Sequence, residues 1–175
     1  GKVGQNRDNQ GLSEYSIAAN ATAIYQGDPV EMLATGTIGV AAAGDTLLLG
    51  PLTGVFYTDA STSKPTWANH LNASNTATDI VGFVSDDPYE RFEVQADGAT
   101  AAADVGLNAD IVYAAGSSPD YVSKVELQTS DQKAGTAQLR IMGISKDPSN
   151  DTAGSANVNL VVMINEHFLK GTAGI

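Results

Sequence analysis

The sequence predicts an all-β fold: a single β-barrel or β-sandwich, with a β-tulip-like arrangement as a variant of that class. Three observations carry this. Short apolar or alternating runs recur about ten times, at intervals of roughly 8–20 residues, as in sandwiches and barrels. Turn signals punctuate them, among them Gly27-Asp28-Pro29, Thr35-Gly36-Thr37, Asp86-Asp87-Pro88 and Asp97-Gly98. No stretch sustains the 3.6-residue period of a helix longer than one turn. The expected organisation is an N-terminal arm, residues 1–12, followed by one β-domain over 13–175.

The arm, from Gly1 to about Leu12, is polar and aperiodic, with Val3 and Leu12 as its large apolar side chains. It has too little apolar area to order itself, so only a partner can order it. Ser13 to Ala19 mixes polar and apolar residues as a first edge strand. Val30 to Leu33 and Ile38 to Val40 are short strands on either side of a turn. Leu47 to Tyr57 is the most apolar part of the first half, and Gly50, Pro51 and Gly54 break it, which predicts a strongly curved strand.

Residues 58–79 read as a long polar loop holding Trp67, the single tryptophan, expected to pack on the body or on a neighbouring copy. Ile80 to Val84 is a buried strand. After the Asp86-Asp87-Pro88 corner, Phe92, Val94 and Ala96 alternate with Arg91, Glu93 and Gln95, so one face is apolar and the other wet. Val125 and Leu127 oppose Lys124 and Glu126 in the same way. Leu139 to Ile144 is the next strand. Val158, Leu160, Val162 and Ile164 form an unbroken apolar face, which marks a central core strand. The expected core comprises Phe83, Val84, Phe92, Val94, Leu139, Ile141, Val158, Leu160, Val162 and Ile164.

The 175 residues carry 9 Lys and Arg against 20 Asp and Glu, a formal charge of −11. That surface repels phosphate backbones and anionic lipid, so neither nucleic acid nor a membrane surface is an expected partner. The absence of cysteine excludes disulfides, thiolate zinc sites and cysteine nucleophiles. No apolar run approaches the roughly 20 residues of a membrane-spanning helix.

Catalytic signals are equally sparse. His70 and His167 have no nucleophile or orienting acid at a recognisable spacing, and both read as ordinary loop residues. Asp86 and Asp87 read as turn caps. Asp147, Ser149 and Asp151 alternate like a calcium loop but lack its glycine and distal Glu. The expectation is therefore no catalytic residues, no metal, no cofactor and no enzyme, leaving a binding or structural protein.

Several segments bear a likeness to a known family. They are Leu49 to Asp59, Lys64-Pro-Thr-Trp67, Ile80 to Asp97 with its Asp-Asp-Pro corner, Leu139 to Ile144, and Val158 to His167. In order and spacing, the chain from Gly27 to His167 resembles the head-decoration, or cement, proteins of marine tailed bacteriophages. The resemblance implies a virion protein on the outer capsid surface that bridges major capsid protein subunits as a homo-oligomer, a dimer or trimer. It is weakest before Gly27, so the contact residues follow from physics: Lys2, Val3, Gln5, Arg7 and Leu12 of the arm, with Trp67 as a loop or neighbour contact. The rival is an adhesin or carbohydrate-binding module using Trp67 and nearby aromatics as a sugar platform.

Overall fold

The computed structural model describes residues 11–45 and 47–171. Twelve strands follow in chain order. The first six are β1 (Leu12–Ser16), β2 (Pro29–Met32), β3 (Ile38–Val40), β4 (Leu48–Thr58), β5 (Pro65–Ala68) and β6 (Val81–Ser85). The others are β7 (Arg91–Gln95), β8 (Asn108–Ala109), β9 (Ile111–Val112), β10 (Glu126–Leu127), β11 (Leu139–Ile144) and β12 (Asn159–Ile164). Among the described residues the helical content is three 3-10 turns of three residues each. The protein is all-β.

β1 to β6 form one sheet in the order β1-β6-β4-β2-β3, with β5 on the second half of β4. A second sheet runs β7-β12-β11-β8, and β9 pairs with β10 in a two-stranded ladder. Strand pairing within all of them is antiparallel. None of these sheets closes on itself into a barrel.

Each large sheet covers its own apolar cluster. Ile24, Ile38, Leu49, Leu52, Leu71 and Val84 lie in the first. Ile111, Leu127, Ile141, Leu160, Val162 and Ile164 lie in the second. The clusters meet at the start of β4, where Leu48 belongs to one and Leu49 to the other because successive side chains point to opposite faces. Buried Gln138 ties nearby segments together. Its backbone N–H donates to Asp110 Oδ1 (3.0 Å), its Oε1 accepts from the Ile111 N–H (3.0 Å), and its Nε2 donates to the Ala42 carbonyl (2.7 Å). An amide this deep is tolerated because its polar atoms are paired.

β4 is one continuous strand, with irregularities of register near the glycines and Pro51 that the sequence singled out. It hands over from β2 at Leu48–Pro51 to β6 at Leu52–Phe56 and to β5 at Val55–Thr58, with register shifts at Val30/Glu31 and Leu52/Gly54. Pro51 stands opposite Pro29 at this handover, where the missing N–H groups do least harm to the ladder. Gly50 is required by proximity: a Cβ there would lie 1.8 Å from the Ser85 carbonyl oxygen.

Other elements depart from expectation in definite ways. The first strand begins at Leu12, paired with Ser85, so the arm's assigned boundary falls inside a strand; it ends at Ser16, before the expected Ala19. The 58–79 stretch contains β5, so Trp67 lies on a strand and not in a loop. Phe83 is half-buried on the outer face, because Gly82 and Val84 point inward. Phe92 and Val94 face the core as expected but are only half-buried, since β7 is an edge strand. Of the 121–127 run, only Glu126 and Leu127 form a strand. The central role of β12 was legible: Val158, Leu160, Val162 and Ile164 are all buried, and β12 lies between β7 and β11.

Candidate contact surface

The outer face of the six-stranded sheet carries an aromatic group assembled by register. Glu14 of β1 stands opposite Phe83 of β6, Phe83 opposite Gly54 of β4, and Phe56 of β4 opposite Trp67 of β5. The Trp67 indole reaches across β4 to stack on Phe83, with centroids 5.1 Å apart and planes 23° apart. It also tilts against Phe56 at 4.8 Å and 52°. Such offset pairs contribute roughly 0.5–1.5 kcal/mol beyond area burial. The indole nonetheless remains 69% exposed. It is held in place, yet open.

Leu12, Thr53, Gly54, Trp67, Ala68, Asn69 and Phe83 line a shallow hollow of about 450 Å³ in this face. Two residues singled out from the sequence for separate reasons, Leu12 and Trp67, thus share one surface. Lys2, Val3, Gln5 and Arg7 lie outside the described residues. Phe56 and Phe83 were missed as surface residues. The signal was present, since β4 and β6 are apolar at successive positions, and a strand apolar on both faces has two faces to cover.

Polar groups around the hollow are few. Thr53 is exposed, and the Asn69 amide donates to Gln26 Oε1 (3.4 Å) and the Asp120 carbonyl (3.3 Å). Beyond Asn69, the His70 ring stacks flat on Tyr121, centroids 3.8 Å apart and planes within 2°, with Tyr25 alongside at 6.2 Å from each. Burial lowers the His70 pKa, against a smaller opposing pull from the Asn72 side chain. This stack anchors the loops that carry Tyr25, His70 and Tyr121 to one another.

His167 is buried, not the ordinary loop residue the sequence suggested. Its Nδ1 accepts from the Leu169 N–H at 3.0 Å and caps the last 3-10 turn. Burial lowers its pKa. The Leu49 backbone, Asp86 and Asp87 pull the other way, and Lys170 adds to the depression. Asp28, also buried, accepts from the Tyr25 N–H at 2.8 Å and closes the Gly27-Asp28-Pro29 turn, while desolvation raises its pKa. Asp87 caps its corner through the Tyr89 N–H (2.9 Å), and buried Asp86 accepts from the Tyr15 hydroxyl (2.8 Å). Asp147 accepts from both the N–H and the hydroxyl of Ser149. Among the described residues no three His, Cys, Asp or Glu side chains converge as a metal site.

Compared with family models, curated proteins and solved structures, the chain matches none.

Proposed function

We propose that this chain is a virion structural protein that binds the outer surface of a phage capsid and cements neighbouring major capsid protein subunits, stabilising the head against the pressure of packaged DNA. The observation that carries the reading is the shared hollow of Leu12, Trp67 and Phe83 on the outer sheet face. Leu12, the last residue of the arm, opens β1 and lines this hollow. Exposed, well-fixed aromatics are what protein interfaces concentrate at their centres. The arm brings Lys2 and Arg7 to an otherwise acidic molecule, and these set register on acidic capsid groups more than they add affinity. The patch is small for a tight interface, and attachment in many copies supplies the remainder.

In the same reading the architecture is a β-sandwich variant, supported by two separate sheets that share a seam at Leu48 and Leu49. On the capsid the protein acts as a dimer or trimer, without nucleic acid or membrane as partner and without enzymatic activity.

A carbohydrate-binding or adhesin reading is favoured by one observation, the open indole of Trp67. It is the weaker reading, because a sugar platform needs hydrogen-bonding groups around the ring, and Thr53 and Asn69 are the polar side chains lining the hollow. The deciding experiment is co-sedimentation of the Trp67→Ala protein with capsid shells that lack it. The capsid reading expects occupancy to fall at least tenfold with the fold intact by circular dichroism. Undiminished decoration by the variant overturns the assignment of this face. A few copies per particle in place of hundreds favours the adhesin.

A further inference from the structure

The second sheet ends in an open edge beside an apolar cleft. β7 pairs with β12 on one side only. At its C-terminal end it touches β10: Ala96 bridges Leu127 in parallel, and the Asp97 N–H donates to the Leu127 carbonyl at 3.0 Å. Upstream the two chains separate. The segment leading into β10 is drawn to the other sheet, where Gln26 donates to the Tyr121 carbonyl (3.1 Å) and accepts from the Ser123 N–H (2.8 Å). The result is a wedge of about 670 Å³. Phe92 and Val94 form one wall, Val122 and Val125 the other, and Ile111 and Val162 lie among its apolar lining.

We propose that this cleft accepts an extended peptide segment of a partner protein, which adds to the free edge of β7 as a further strand. Alternate backbone N–H and C=O groups of β7 point away from β12 and have no partner among the described residues, so the occupant must offer a backbone and not only apolar surface. Size agrees. A five-residue strand is about 17 Å long and, at ordinary strand and sheet spacings, fills on the order of 800 Å³. Alternation assigns the chemistry: every second side chain is aliphatic and enters the cleft, and the others face water. The Glu93 carboxylate accepts from Ser145 Oγ (2.8 Å) and Asn159 Nδ2 (3.1 Å), and Glu126 and Lys124 balance each other, so the segment's outward positions need only be polar. Residues 1–10 hold Val3 as their single large apolar side chain, which does not supply the alternating aliphatic positions such a segment requires. The inference does not depend on the capsid reading.

The test uses the intact protein and an acetylated, amidated peptide, Lys-Val-Thr-Val-Thr-Val-Lys, followed by heteronuclear NMR. Saturable binding below about 1 mM is expected, with slowed exchange of the β7 amides that face the cleft. A version N-methylated at alternate residues, and one of the same composition in scrambled order, should bind at least tenfold more weakly. Val94→Lys should abolish binding. Val122→Glu, at a position 47% exposed and so without risk to the fold, should weaken it at least tenfold. Equal binding of all three peptides means non-specific adsorption and overturns the proposal, as does no binding. Self-association relieved by Val122→Glu assigns the cleft to a second copy. Uptake of a hydrophobic dye that the peptide does not displace assigns it to a small apolar ligand. Either also overturns the proposal.

Discussion

Leu160 lies in β12 with no solvent exposure, between β7 and β11, in the middle of the second apolar cluster. Truncation there leaves a cavity that fixed strands on both sides cannot close, so Leu160→Ala should cost about 2–5 kcal/mol, read from the denaturant midpoint at unchanged slope. His167 makes a different contribution. Its neutral ring accepts the Leu169 N–H, and a proton on Nδ1 would remove that acceptor. Burial depresses the folded pKa below the unfolded value of about 6.5, so the unfolded chain binds the proton more readily. Its stabilising effect is therefore complete above about pH 6.5 and is lost as pH falls through the lower folded pKa. His167→Asn keeps a capping oxygen and removes the titration. The variant's stability should fall less than the parent's between pH 7 and 5, as measured by urea melts across that range.

At the scale of elements, β4 governs how the six-stranded sheet is joined, and Gly50 governs β4. Gly50→Ala drives a methyl group into the Ser85 backbone, so β4 and β6 must part locally. A loss at or above the upper end of about 1–3 kcal/mol is expected. Gly143→Ala on β11 is the control, because a Cβ there meets nothing within 4 Å, and its melting temperature should change little. The same strands show what the sequence disclosed. β7 alternates cleanly, so its inward face was readable from period two alone. β12 is apolar at Val161 and Met163 as well, and its inward face was readable from the unbroken set Val158, Leu160, Val162 and Ile164. β6, Val-Gly-Phe-Val-Ser, is apolar at successive positions, and only the register with β1 and β4 decides that Phe83 points outward. β5 escaped notice because Pro65-Thr66-Trp67-Ala68 is short and lies among polar turns; it becomes a strand only by pairing with β4. The Leu12–Trp67 surface was half-visible for the same reason. Its residues stood out singly, and the pairing that unites them is non-local.

For the whole molecule the dominant fact is charge. On the proposed capsid reading, a protein at −11 would meet the shell through attractions that screen with salt only where its few cations take part. Deleting residues 1–10 removes Lys2 and Arg7 and none of the described strands. The truncated protein should keep the melting temperature of the intact one. It should decorate shells more weakly in co-sedimentation, with a shallower salt dependence. Equal decoration by both forms would place the contact on the sheet face alone.

The position of β1 has a mechanical consequence. β1 begins at Leu12, so tension applied along the chain at Leu12 enters the β1–β6 ladder there. Antiparallel strands drawn along their length part in shear, with all pairs resisting together; drawn sideways, they unzip one pair at a time. The five consecutive pairs from Leu12–Ser85 to Ser16–Val81 therefore make β1 stiff against tension in the plane of the sheet and yielding against lift.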